Sequence, residues 1–326
     1  MDALSYEFTS ETGKEPILRV RDLNTVFLTA NGPVQAVNGL DFDLAERERM
    51  AIIGESGCGK SVLAQTILKL LPYNARVSGE IIFHNQDLLG TGRDQMVKIR
   101  GGEIGLIPQQ LSSLDPLMKI KGQIRKAIQP SGGSRDKKQL YRKAFDLLNS
   151  VGLDPQVSNR YPHQLSGGMN RRVLVSMGIA QNPDLLIADE PTTGLDTILR
   201  NKTVKLIDRI TSGRSLLLIT HDIGAAQICE NLAVMYAGEI IERGPAQDIL
   251  DNPRHPYTQG LMSSMPSRGM YSIPGMSPSL IQLPKGCRFY PRCPYAKEKC
   301  ATHHPDIQGE NMCGEKRELR CHYACS

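Results

Sequence analysis

The stretch Ile53–Leu63, "IGESGCGKSVL", puts three glycines into six positions and follows the last of them at once with a lysine. It closes the apolar run "RMAII" and opens a segment of helical spacing. Gly54, Glu55, Ser56, Gly57, Cys58, Gly59, Lys60 and Ser61 fit the phosphate-loop pattern G-x4-G-K-[ST], in the strand-before, helix-after setting that the pattern requires. Glycines let the backbone curl so that successive N–H groups face phosphate oxygens. The helix that follows adds its positive end, and Val62, next after Ser61, is counted with the phosphate-binding residues. Lys60 is placed to reach the β- and γ-phosphates, and the Ser61 hydroxyl to ligate Mg²⁺. A nucleoside triphosphate is the expected ligand.

Working outward, the 326 residues suffice for one large domain with an appendage. A composition of 40% hydrophobic and 22% charged residues is that of an ordinary globular protein. The net charge of +5 is mild for this length, and no Lys/Arg block marks a nucleic-acid partner. Apolar runs such as "SLLLIT" fall far short of the roughly 20 residues of a membrane helix, so a membrane role has to come through partners. The first 15 residues are acidic, lack the order of an export signal, and read as a disordered lead-in.

Between Ile17 and Ile249 short apolar runs alternate with helical stretches: "LRV", "GLDFDL", "RMAIIG", "GEIIFH", "EIGLIP", "DLLIAD", "SLLLIT" and "NLAVMYAGEIIERG" read as strands. Several are apolar throughout, which predicts an α/β fold around a largely parallel sheet. The part up to about Leu44 reads as an antiparallel β segment. From about 110 to 180 the strand signal gives way to helical spacing, as in "RDKKQLYRKAFDLLNSVGL" and "GGMNRRVLVSMGIAQN", predicting a helical insertion. After about residue 251 proline and serine accumulate, and a cysteine-rich tail follows.

Two further strand ends carry chemistry. "DLLIADE" finishes in Asp189 and Glu190; beside a phosphate loop the first suits Mg²⁺ and the second suits proton acceptance from an attacking water. A strand ending in two carboxylates can also be nothing more than a strand meeting solvent. His221 follows "SLLLIT" at the crevice end of a parallel strand, where contact with a γ-phosphate is open to it, as is a purely structural role. "HQLSGGMNRR" supplies a second Ser-Gly-Gly element at a helix start, another anion-binding end.

The phosphate loop, Leu-Ser-Gly-Gly, the Asp-Glu strand end, "TTGLD" and a strand-end histidine, in this order, resemble the nucleotide-binding subunit of an ABC transporter. That resemblance implies a P-loop NTPase cassette with a RecA-like core. It also implies that Ser166, Gly167, Gly168 and Met169 cap the ATP of a facing subunit, with Asp196 at the dimer interface. Glu190 corresponds to the hydrolytic base and His221 to the γ-phosphate switch. Gln109 corresponds to the glutamine that reaches Mg²⁺ and the attacking water, with Gln110 as a rival because "QLSSLDP" is one residue short. Phe27 corresponds to the aromatic that stacks on adenine. Met169 stands where many members have glutamine, as in the peptide-importer branch.

"VMYAGEIIERGPAQDILDNPRHPYTQGLMSSMP" and "GCRFYPRCPYAKEKC" resemble the C-terminal extension of oligopeptide/dipeptide importer ATPases, whose wider group includes nickel and opine uptake. The resemblance implies import of short peptides, two membrane-spanning permease subunits, a second ATPase subunit, an extracytoplasmic solute-binding protein, and a place on the cytoplasmic face of the membrane. Soluble ABC-type ATPases of translation or DNA repair form the competing class. In the tail, Cys287, Cys293, Cys300 and Cys321 correspond to four cysteines that hold a [4Fe–4S] cluster in some members. Zn²⁺ or unligated thiols are the alternatives, and Cys313, Cys325, His303 and His304 are spare donors.

Overall fold

The computed structural model describes residues 15–129, 136–265, 268–309 and 317–323. Apart from Glu15, the N-terminal stretch read as disordered lies outside these residues, as do Cys313 and Cys325.

The chain opens with two long antiparallel strands, β1 (Pro16–Thr29) and β2 (Gly32–Ala45), then β3 (Arg49–Ile53), α1 (Lys60–Ile67), β4 (Ala75–Phe83) and β5 (Gln86–Asp87). There follow α2 (Arg93–Gly102), β6 (Ile104–Ile107), α3 (Ile120–Ile128), α4 (Lys137–Ser150) and α5 (Gly167–Gly178). Next come β7 (Leu185–Asp189), α6 (Thr197–Thr211), β8 (Ser215–Thr220), α7 (Ile223–Ala226), β9 (Asn231–Tyr236) and β10 (Glu239–Pro245). The last elements are α8 (Ala246–Asp251), α9 (Pro256–Ser263), α10 (Glu298–Thr302) and β11 (Glu318–Leu319). One sheet runs β2-β1-β4-β5 and the other β11-β10-β9-β3-β8-β7-β6. In the larger sheet β9, β3, β8, β7 and β6 are mutually parallel, while β10 and β11 are antiparallel additions.

The uniformly apolar strands are explained by two-sided burial. Along β3, Ala51 and Ile53 enter one core cluster while Met50 and Ile52 enter the other; along β8, Leu216 and Leu218 oppose Leu217 and Ile219 in the same way. Successive side chains leave a strand on opposite faces, so a strand covered on both faces needs no polar alternation. The antiparallel sheet closes one face through Leu18, Val20, Phe42, Ile81 and Phe83. The helical insertion closes the other through Ile120, Ile124, Leu148 and Val173, joined by Tyr257 and Phe289 of the tail.

Helix starts follow local chemistry. Asp136 caps α4 by accepting from the Lys138 N–H, and Ser166 caps α5 by accepting from the Met169 N–H. The run "NLAVMYAGEIIERG" folds back on itself, because Ala237 and Gly238 both take positive φ (48° and 85°), the backbone of a tight hairpin between β9 and β10.

The tail is stitched into the parallel-sheet body. β11 pairs with β10, and buried Glu239 of β10 accepts from Arg288 Nε at 2.9 Å and faces His304 Nε2 at 2.9 Å. Fully buried Glu242 accepts the backbone N–H groups of Arg254 and His255 at 2.9 and 3.0 Å. Leu218, 0% exposed at the centre of the sheet, sets the scale for core stability. Leu218→Ala is expected to cost about 2–5 kcal/mol. It would be read as a lower urea midpoint at unchanged slope, and a loss under about 0.5 kcal/mol would contradict this packing.

Candidate functional site

Residues 54–59 connect β3 to α1 across the carboxyl edge of the parallel sheet. The loop needs its glycines: Gly57 and Gly59 have φ of 82° and 106°, and a Cβ on Gly59 would run into the carbonyl oxygen of Ala36. Lys60 is buried, and its Nζ donates to the carbonyls of Gly54 at 2.8 Å and Glu55 at 2.9 Å and lies 3.8 Å from Glu190 Oε1. Cys58 is buried beneath the loop, where desolvation pushes its thiol up.

Parallel pairing of β3, β8 and β7 delivers the other groups to the same edge. Ser61 Oγ donates to Asp189 Oδ1 at 2.9 Å, and burial pushes the Asp189 carboxyl up. Glu190, at φ 47°, turns its chain sharply just after β7, held by its N–H on Ile219 O at 2.8 Å. Its Oε2 lies 2.6 Å from His221 Nδ1 and accepts from Thr193 Oγ1 at 3.2 Å. A cavity of about 250 Å³ is bounded by Ser61, Asp189, Gln109 and Gln110, so both glutamines reach the same space. Gln110 Oε1 is occupied by a hydrogen bond from Ser112. A second cavity of about 260 Å³ lies along Thr193, Gly194, His221 and Asp222.

The remaining sequence-derived positions lie as follows. Ser166 and Gly167 are exposed at the start of α5, with Gly168 and Met169 partly buried behind them. Asp196 is exposed and caps α6 by accepting from the Leu199 N–H at 2.9 Å. Phe27 is half-buried near the end of β1, opposite Val34 and Ala75, and belongs to neither core cluster. Val62 packs beside the core under α1.

The sequence reading did not single out Arg171 or the tail contacts of Glu55. Arg171, buried in α5, donates to the carbonyls of Pro108 (3.0 Å), Gln109 (2.9 Å) and Thr193 (3.3 Å), tying the signature helix to the segments that follow β6 and β7. A signal existed only in its place two residues beyond Met169 on a helix whose inner face is apolar. Glu55 is gripped by Arg292, Ser277 and Tyr257 of the tail, contacts spanning more than 200 residues that no local pattern announces.

Cys287, Cys293, Cys300 and Cys321 all border one cavity of about 350 Å³, with Phe289, Tyr290, Tyr295 and His322. Burial pushes the Cys287 thiol up to about 11 and raises Cys293. Among the described residues no three His, Cys, Asp or Glu side chains come together as a group that could hold a metal ion. The expected [4Fe–4S] cluster is therefore unsupported by the placement of these side chains, although all four do face one cavity.

A glycine loop with a buried lysine, a serine–aspartate pair and a glutamate–histidine pair, gathered at the carboxyl ends of adjacent parallel strands, defines a P-loop ATPase. Residues 37–193 match the ABC transporter family, and residues 241–300 match the oligopeptide/dipeptide transporter C-terminal region. The chain is 39% identical over 320 residues to the dipeptide transport ATP-binding protein DppD of Bacillus subtilis strain 168, covering 94% of each. Against DppD of Escherichia coli K12 the identity is 38% over 320 residues, covering 94% of this chain and 96% of that one. Among solved structures, the dimeric cassette MJ0796 bound to ADP and Pi superposes with a TM-score of 0.64 at 26% identity, covering 70% of this chain and 98% of that one. CbiO1 of Clostridium perfringens gives 0.61 at 26% identity, covering 73% and 92%. The chain belongs to the ABC transporter ATP-binding subunits, in the oligopeptide/dipeptide branch.

The Glu190–His221 pair has a defined pH response. The hydrogen bond to Glu190 raises His221 above its ordinary 6.5. Burial pushes Glu190 up, but the hydrogen bond and charge of His221, with the charge of Lys60, outweigh it and hold Glu190 below its ordinary 4.5. The pair's stabilisation is full between those two ordinary values. It is lost as pH rises through the raised histidine value, or falls through the depressed carboxyl value. In Glu190→Gln the His221 midpoint, followed by NMR titration, is expected to drop back toward about 6.5; an unmoved midpoint would contradict the pairing.

Proposed function

We propose that this chain binds and hydrolyses ATP between two facing cassettes and thereby drives the import of short peptides by an assembly at the cytoplasmic face of the membrane. The observation that carries the reading is the convergence of Lys60, Ser61, Asp189, Glu190 and His221 at one edge of the sheet. Phosphate oxygens compete with the Gly54 and Glu55 carbonyls for the Lys60 ammonium, and the loop N–H groups add their dipoles. The residues fit Mg²⁺: Ser61 and Asp189 would hold it, with Gln109 at the cavity wall, and the ion would offset phosphate charge. Glu190, ionised by its neighbours, accepts the proton of the attacking water, and His221, aligned by Glu190, faces the terminal phosphate.

The exposed Ser166 and Gly167, at the positive end of α5, are assigned to the ATP of the facing subunit, and the exposed Asp196 to the seam between the two. Phe27 is assigned to the adenine face. No helix among the described residues is long and apolar enough to cross a membrane, so two permease subunits supply the path. A related second ATPase completes the pair, and a solute-binding protein delivers cargo. The names of the DppD relatives and the match of residues 241–300 support peptides over nickel or opines, and a transporter over a soluble ATPase. On this reading residues 1–15 precede the cassette of 16–251, and 252–326 form its extension.

For the tail we propose a [4Fe–4S] cluster, held by Cys287, Cys293, Cys300 and Cys321, with a stabilising role. The support is that the four thiols border one cavity. Anaerobically purified protein is expected to contain about four iron and four sulfide per chain; zinc alone, or neither, would contradict it.

The catalytic assignment is tested with Glu190→Gln in the assembled transporter. The variant is expected to keep MgATP binding and hold the cassettes together while turnover falls about 10²–10⁴-fold. Turnover near the unmodified rate would remove Glu190 from the base role.

A further inference from the structure

Glu55, the first residue after the opening glycine of the phosphate loop, carries a carboxylate into a site that receives a polyanion. The tail answers it with a built counter-ion. Arg292 Nη1 donates to Glu55 Oε2 at 2.8 Å and Arg292 Nη2 to Oε1 at 3.0 Å, a two-pronged pairing of guanidinium with carboxylate. Ser277 Oγ donates to the same Oε2 at 2.6 Å, and the Glu55 backbone N–H donates to the Tyr257 hydroxyl at 2.8 Å. Three residues from three parts of the tail thus close on one loop residue.

The arginine is fixed before it meets the glutamate. Its side chain is 5% exposed, its Nε donates to Pro274 O at 2.9 Å, and its guanidinium lies 5.8 Å from the Tyr236 ring centre and 6.0 Å from that of Phe289. Glu55 itself is 28% exposed. Burial pushes its carboxyl up, yet the hydrogen bonds from Arg292 and Ser277 and the nearby positive charges outweigh this and hold it below the ordinary carboxylate range. The Glu55 carbonyl in turn accepts from Lys60, so the loop's shape, its charge and its lysine all pass through this one residue.

We propose that Arg292 is a positioning and charge-balancing residue of the ATP site. By neutralising and anchoring Glu55 it keeps the phosphate loop from repelling the triphosphate, which makes the C-terminal extension a working part of nucleotide binding. This rests on the phosphate loop being the ATP site.

The test is steady-state ATPase of the full assembly together with MgATP affinity of the full-length chain, in Arg292→Gln, Glu55→Gln and the double variant. Arg292→Gln leaves an uncompensated carboxylate, and KM and the dissociation constant are expected to rise about fivefold, the effect of one nearby charge. The rate constant kcat stays within about twofold, the mark of a lost binding contribution. Glu55→Gln removes the carboxylate that Arg292 answers, and the double variant, left with no carboxylate to repel the triphosphate, is expected to bind MgATP more tightly than Arg292→Gln alone. A structural role alone predicts no such rescue. Unchanged KM in Arg292→Gln, or a double variant no better than Arg292→Gln, overturns the proposal. Should Arg292→Gln fail to accumulate folded, the double variant decides: recovery of folded, MgATP-binding protein supports the proposal, and an unfolded or non-binding double variant overturns it. Absence of MgATP binding in the unmodified chain would instead sink the ATP site itself.

Discussion

The parallel register of three strands is the constraint from which the rest follows. Ile53 lies opposite Thr220, and Ile219 opposite Asp189, so β3, β8 and β7 end level with one another. That alignment places the phosphate loop, His221 and the Asp189–Glu190 pair along one crevice, the place where open parallel sheets bind ligands. Two-sided burial fixes the register. A slip of one residue would exchange the sets Ala51/Ile53 and Met50/Ile52 between two differently shaped cores.

Within this frame each side chain proposed to act on the nucleotide is held by another of the set. Lys60 touches Glu190 and the loop carbonyls, Ser61 touches Asp189, and Glu190 touches His221. The left-handed backbone at Glu190 points its carboxylate back toward the histidine; a β-strand continuation would have turned it away. Arg171 bridges from the signature helix to the carbonyls that follow β6 and β7. A buried guanidinium bonded to three backbone carbonyls makes the relative position of these three segments costly to change.

What was legible in the sequence was local. The phosphate loop, the apolar strands that end in Asp189, Glu190 and His221, and the serine-capped start of α5 are each decided within about ten residues by backbone geometry and burial. The antiparallel opening sheet and the helical insertion were legible for the same reason. Contacts between distant segments were not. Glu55 and Arg292 are 237 positions apart, and only the folded chain brings them together. The same holds for β11, two residues long, whose pairing with β10 has no periodic signal. Gln109 and Gln110 share a cavity, and there the sequence and the backbone leave two neighbours in one space. The cysteine tail shows the opposite failure: its pattern is conspicuous in sequence, yet its side chains surround a cavity without forming a metal-holding group among the described residues.

The account stands on one claim, that triphosphate is bound by this loop and by the facing subunit together. Calorimetric titration of MgATP into the assembled cassette pair is the most direct measurement. Two nucleotides bound per pair, with one site lost when Lys60 is replaced by alanine in this chain, is the predicted result. Undiminished binding in that variant, or saturation of a lone chain with no effect of its partner, would contradict it.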